Sequence, residues 1–277
     1  DWFTVNLSIH NDFYDRFKRH ERIDERKKVY KSKIFEPRLT LTSTYFRGHS
    51  IILGVEHTSD ELTSDRFVNR KMTTRALHET EYFLQDEWTA NKHWMLSTGV
   101  RTNFSKAFGF MYMPKIAVKY SPDEHWAIRA NYSIGYRAPS IKELFFNWDH
   151  LGMFQIRGSE DLKPEKNHYF SLGAEYTHNG FFMNVNAYIN QFRNKIEGVW
   201  HIYDMQYNFE YTNLSSQRLY GIEAILKWHF LDHFTLNGTY SYVNVSKQAG
   251  IQVNTTSPHA ATASIDYVYN KPNYRLK

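Results

Sequence analysis

What most limits the fold of this chain is a period of two that runs through it almost from end to end. Phe3, Val5, Leu7 and Ile9 alternate with Thr4, Asn6 and Ser8. Leu39, Leu41 and Tyr45 alternate with Thr40, Thr42 and Thr44, and Trp126, Ile128, Ala130, Tyr132 and Ile134 alternate with Arg129, Asn131 and Ser133. Tyr220, Ile222, Ala224, Leu226 and Trp228 repeat the pattern around Glu223 and Lys227. Successive side chains of a strand point to opposite faces, so each run is a strand with one greasy and one wet face. There are about a dozen such runs, each near the roughly 9–11 residues that a tilted strand needs to cross a bilayer.

The connections alternate in length. Thr89-Ala90-Asn91-Lys92-His93, Ser121-Pro122-Asp123-Glu124-His125, Thr177-His178-Asn179-Gly180 and His229-Phe230-Leu231-Asp232-His233 are short and rich in turn formers. The long ones run roughly over 60–78, 139–167, 194–217 and 247–258. Short turns at one end and long excursions at the other are the mark of an outer-membrane barrel, whose long loops are extracellular.

Composition removes the competing classes. Mean hydropathy is −0.62, and no apolar run approaches the roughly 18 residues of a membrane-crossing helix. Yet aromatic residues make up 17% of the chain. A polar average with abundant aromatics fits strands that face lipid on one side, a wet lumen on the other, and anchor Tyr and Trp at the interfaces. There is no Cys, so disulfides and thiolate metal sites are excluded. A Ser-centred nucleophile elbow, a P-loop and an HExxH helix are absent, so nothing supports an enzyme.

The net charge of +5 is concentrated locally. Arg16, Lys18, Arg19, Arg22, Arg26, Lys27, Lys28, Lys31 and Lys33 crowd one segment together with Phe13, Tyr14, Phe17 and Tyr30. Without a nucleic-acid-binding signature, this reads as two long strand ends rising into water. Phosphates of an outer-leaflet glycolipid or carboxylates of a ligand are the counter-charges it invites.

The most informative stretch runs from Ser133 to Asn167. Tyr136-Arg137-Ala138-Pro139-Ser140 ends a strand at a proline, and Asp161-Leu162-Lys163-Pro164-Glu165 leads into the next, near His168. These two boxes resemble those of TonB-dependent outer-membrane receptors, in which an (F/Y)RAP box precedes an NP(D/N)LKPE box. Ser159-Glu160 stands where the second box usually has Asn-Pro. Met113-Pro114-Lys115 and Gly221-Ile222-Glu223 extend the likeness.

The resemblance implies an all-β fold: a transmembrane antiparallel β-barrel of about 22 strands, closed around an N-terminal plug. Residues 1–277 would form about half of that one barrel domain, with plug and C-terminal strands missing. It also implies location in the bacterial outer membrane and active import driven through the TonB energy-transducing complex. Outer-membrane lipids, a small-molecule ligand and a surface lipoprotein are the other expected partners. No permanent cofactor is implied.

Between the boxes lies Asn147-Trp148-Asp149-His150-Leu151-Gly152-Met153-Phe154. Haem and haemoglobin receptors of the HmuR type carry a histidine there, which implies haem as the transported ligand and His150 as an iron ligand. Neutral imidazole suits that role. Met153 is then a candidate second ligand, Trp148 a porphyrin-stacking ring, and Lys142 and Arg157 candidate partners for propionates. The competing reading packs His150 with Trp148 and Phe154 beneath a long loop. Tyr136 and Arg137 are candidate ligand contacts whose alternative is a structural strand end. Trp200, Tyr203, Tyr207 and Tyr211 either line a ligand mouth or pack the rim. A siderophore or a corrinoid is the alternative cargo.

Overall fold

The alternating runs pair edge to edge in a computed structural model that describes residues 2–20, 25–68, 71–150, 152–203, 206–246, 257–271 and 274–276. The first seven strands are β1 (Phe3–His20), β2 (Glu25–Ser43), β3 (His49–Val68), β4 (Lys71–Thr89), β5 (Trp94–Ser105), β6 (Gly109–Tyr120) and β7 (Trp126–Arg137). A helix of one turn, α1 (Ile141–Phe145), and a small hairpin of β8 (Asn147–His150) and β9 (Phe154–Arg157) follow. The wall resumes with β10 (Glu165–His178), β11 (Phe181–Tyr203), β12 (Gln206–Phe230), β13 (Phe234–Val245) and β14 (His259–Tyr267). β15 (Tyr269–Lys271) and β16 (Tyr274–Leu276) pair with each other in a separate small sheet.

Among the described residues the wall is one all-antiparallel path, β1-β2-β3-β4-β5-β6-β7-β10-β11-β12-β13-β14, and it does not close, since β1 and β14 each have a single neighbour. Large apolar side chains stand exposed in rows along one face. They include Phe3, Val5, Leu7, Ile9, Leu53, Leu84, Ile128, Leu172 and Ile222. So long an apolar face would be an aggregation surface in water, whereas in a bilayer it is the lipid-facing wall.

The short turns are built as their residues dictate. Asn179 and Gly180 both take positive φ, 46° and 76°, which gives the two-residue hairpin turn that only such residues adopt easily. At the neighbouring turns Asn91 Oδ1 accepts from the backbone N–H of His93 and Trp94, and Asp123 Oδ1 accepts from those of His125 and Trp126.

The opposite ends differ from expectation in kind. Residues 60–78 and 194–217 are not irregular loops. β3 and β4 stay paired out to Val68 and Lys71, and β11 and β12 out to Tyr203 and Gln206. The long excursions are strands continuing beyond the membrane, because Ile196, Gly198, Trp200 and Ile202 keep the period of two. The strand after the second box begins at Glu165 rather than His168. Most of the expected loop over 247–258 lies outside the described residues.

The segment between β7 and β10 folds inward. α1 packs on β4 and β8 on β3, while β9 pairs in parallel with β12 through Phe154↔Tyr207 to Arg157↔Glu210. β3 and β12 are seven steps apart in the sheet, roughly 34 Å along a flat one. A four-residue strand pair bridges them only because the wall curves strongly.

Candidate ligand site beneath the inserted segment

The dry core of this chain is the contact between the inserted segment and the inner wall. Leu62 and Phe67 of β3 bury Ile141 and Phe146, with Tyr30, Leu77 and Ile156 packed around them. Leu144, Leu162 and Ile196 form a second cluster with Phe108 and Tyr211. Each such side chain contributes roughly 1.5–3 kcal/mol on burial, so the segment is a packed strut and not a free loop.

The two sequence boxes meet here. Arg137 Nε and Nη2 donate to the two carboxylate oxygens of Glu165, each at 2.9 Å, and Nη1 donates to Glu143 Oε2 at 2.9 Å. Glu143 also accepts from Ser140 N–H, while Ser140 Oγ accepts from Glu143 N–H, which closes a capping box on α1. Glu165 Oε1 takes a further bond from Ile196 N–H at 2.6 Å, which ties in β11. Burial raises the Glu165 carboxyl, but the hydrogen bonds from Arg137 and Ile196 outweigh it and hold the group below its ordinary value. Asn213 completes the anchorage: its Oδ1 accepts from Lys163 N–H and its Nδ2 donates to Lys163 C=O, both at 2.8 Å. Tyr136 donates from its hydroxyl to Glu79 at 3.3 Å, linking the end of β7 to β4.

Arg137 and Tyr136 thus both bond to protein partners. His150 lies at the end of β8 with its ring 4.9 Å from Trp148 and 4.8 Å from Phe154. Met153 is exposed in the hairpin tip, where Gly152 takes a φ of 77°. The hairpin therefore brings His150, Met153 and Trp148 close together. Among the described residues no three His, Asp or Glu side chains gather as a metal cage, though axial ligation by one imidazole needs no such group. Phe154, Trp200 and Tyr207 join Met153 around a shallow apolar depression of about 340 Å³. Tyr211 packs against Phe209 and the second cluster, and the Tyr203 side chain lies outside the described residues. Lys142 Nζ lies 5.4 Å from the centre of the Tyr30 ring on β2.

A second constellation was foreseen only in Arg157. A cleft of about 460 Å³ opens between β4 and the inserted segment, lined by Phe67, Arg75, Phe145, Gln155, Arg157 and one carboxylate, Glu160, among others. The Arg75 guanidinium lies 4.8 Å from the centre of the Phe145 ring, and its buried Nε has no hydrogen-bond partner among the described residues. Arg157 donates from Nη2 to Gln155 Oε1 at 2.8 Å, and its Nη1 lies 3.7 Å from Glu210. On the neighbouring hairpin Trp148 carries Arg66 stacked 4.1 Å over its ring, and burial together with nearby Arg16 lowers the Arg66 pKa. Arg75 and Arg66, each over an aromatic ring, are suited to a flat anionic ligand. Arg75 was hidden because it sits in residues 60–78, which read as loop.

Comparison with known proteins agrees with this architecture. A curated relative, the iron-regulated outer membrane virulence protein of Vibrio cholerae serotype O1, is 26% identical over 215 residues, 73% of this chain and 33% of its own length. The ferric enterobactin receptor of Pseudomonas aeruginosa is 24% identical over 197 residues, 62% of this chain and 26% of its own length. The chain therefore spans about a third or less of the curated relatives it matches. The structure of a copper transporter, OprC, superposes with a TM-score of 0.77 at 14% identity, over 98% of this chain and 48% of the transporter. The family model described as TonB dependent receptor-like, beta-barrel matches residues 2–277, and the chain accordingly belongs to that family of outer-membrane β-barrels.

Proposed function

We propose that the protein containing this chain imports a ferric siderophore across the outer membrane, and that the cleft beneath the inserted segment takes part in binding it. The observation that carries this reading is the Arg75–Phe145–Arg157 constellation, with its unpaired buried Nε and its aromatic backing. A ferric catecholate is a multiply charged anion with flat aromatic faces, and guanidinium groups stacked on rings match both properties. The relatives support the choice of cargo class, since one is named for iron regulation and another for ferric enterobactin. Energy would come from TonB acting through a plug carried by the rest of the receptor. The role is transport, not catalysis.

Haem remains the second reading because His150, Trp148 and Met153 share one hairpin. Corrinoids are a third cargo of the same class. The test is a pair of titrations on the full-length receptor in detergent: tryptophan quenching by a ferric catecholate, and Soret absorbance with haemin. The expected result is saturable quenching, weakened at least about tenfold in Arg75→Ala and unchanged in His150→Ala. A saturable Soret shift lost in His150→Ala, with no response to the catecholate, overturns the siderophore reading in favour of haem.

A further inference from the structure

The outward face of the β1–β2 hairpin carries charge where that of β4 to β6 carries aromatics. At the top of β5 and β6, the outward side ends in Phe104 and Phe110, whose rings pack 4.8 Å apart, beside Tyr82. On β1 and β2 the lipid-facing row Leu7, Ile9, Leu39 and Leu41 continues upward into Phe13, Lys33, Asp15 and Lys31, all on the same face by alternation.

Above them the register slips. Arg16 pairs with Tyr30 but Phe17 pairs with Lys28, so Val29 is an extra residue in β2. A one-residue bulge exchanges the faces of everything beyond it. Here it moves Lys28 and Arg26 onto the outward side with Lys31 and Lys33, where the Arg26 guanidinium stacks 4.1 Å over Phe17. Val29 itself is buried. The result is a column of four outward cations on β2 directly above the lipid-facing band, with Arg19 of β1 opposite Arg26, and two carboxylates answer it: Asp15 binds Lys28 at 2.6 Å, and Glu61 stands 3.8 Å from Lys33. Lys31 has no ion-pair partner among the described residues. His57 and His78 stack on the same outward side of β3 and β4.

We propose that this column binds the phosphates of a phosphorylated glycolipid in the outer leaflet, holding it against the wall at the β1–β2 hairpin. A lipid-facing apolar row ends here in unbalanced cations with aromatic rings between them. The occupant is therefore a molecule whose acyl chains lie along that row and whose anionic head stands above it. Lysine stems also lie along apolar surface while their ammonium groups reach a phosphate plane. The proposal depends on the outer-membrane orientation of the barrel and is independent of the cargo.

The test uses the full-length receptor in phosphatidylcholine nanodiscs doped with bisphosphorylated lipid A, beside discs doped with the dephosphorylated glycolipid, and reads the lipid retained by native mass spectrometry. Wild type retains the phosphorylated form selectively. Replacing Lys28, Lys31 and Lys33 together by Gln reduces retention about tenfold or more, with heat-modifiable gel mobility reporting that the barrel is still folded. Asp15→Asn with Glu61→Gln, which removes only the competing carboxylates, increases retention; a structural role for these pairs would not produce that gain. Equal retention of phosphorylated and dephosphorylated lipid, or no response to either set of substitutions, overturns the proposal. Should the lysine variant fail to fold, the carboxylate variant decides alone.

Discussion

Removing the Arg137 side chain tests whether the first sequence box is structural or touches ligand. In Arg137→Ala, Glu143 and Glu165 keep their cover, with side chains only 15% and 12% exposed, but lose their counter-charge. Breaking a fully buried pair costs about 3–5 kcal/mol. The Arg137 side chain is 44% exposed, and the solvent screening this allows reduces the cost to about 2 kcal/mol. The loss falls on the inserted segment, because the wall strands keep their ladders without this contact. About 2 kcal/mol is roughly a thirtyfold rise in local opening. Hydrogen–deuterium exchange on the full-length receptor reads this directly at Phe146, Gly158 and Ser159, whose amides donate to Lys142, Phe146 and Glu143 carbonyls within the segment. Adding Glu143→Gln and Glu165→Gln to the same protein removes the orphaned charges and restores part of the protection. If exchange over residues 138–164 is unchanged while ligand affinity falls, Arg137 contacts cargo and the argument for a strut held by this ion pair is wrong.

Three further outcomes follow from the same contacts. Leu144→Ala empties a site that is 4% exposed and loosens the segment by about 2–5 kcal/mol; exchange there rises while heat-modifiable mobility stays that of wild type. In Gly158→Ala the new Cβ falls 2.7 Å from both Glu143 O and Leu144 C, backbone atoms that cannot swing aside. That variant displaces the return from β9, and limited proteolysis cleaves it between 146 and 164 sooner than wild type. The depressed Glu165 pKa fixes the sign of a pH effect. Its stabilisation is complete above the unfolded carboxyl value of about 4.3 and is lost as pH falls through the lower folded value. Protection of the segment is therefore flat from neutrality down to about pH 5 and declines in stronger acid; a decline centred near neutrality would contradict this assignment.

The wall was legible because its physics is local. A strand facing lipid on one side must alternate, and Trp126 to Ile134 or Tyr220 to Trp228 show it without reference to any partner. Asn179-Gly180 likewise declares its own turn. The upper strands of β3, β4, β11 and β12 were missed where the wet face lies on both sides and the greasy row thins. The pattern is still there in Ile196, Trp200 and Ile202, but lipid no longer enforces it.

The site was less legible because its contacts join residues that no local rule connects. Leu62 meets Ile141, and Leu144 meets Leu162 and Ile196, across separations that periodicity cannot see. The apolar run Ile141, Leu144, Phe145 and Phe146 inside a supposed loop was the one available signal, since a loop in water has no use for it. Arg137 and Glu165 show the same limit from the other side. Each box could be recognised from its residues alone, whereas the bidentate pair between them explains why both are required. A strand end carrying a half-exposed arginine costs little by itself. A carboxylate that must also cap α1, and another that must also bind the Ile196 amide, make that arginine the point where β7, α1, β10 and β11 are fastened together. The proposed ligand binding in the cleft of Arg75 and Arg157 therefore depends on a strut whose position is set from outside the cleft, and substitutions at Arg137 and Arg75 are distinguishable. The first moves exchange and affinity together, and the second moves affinity alone.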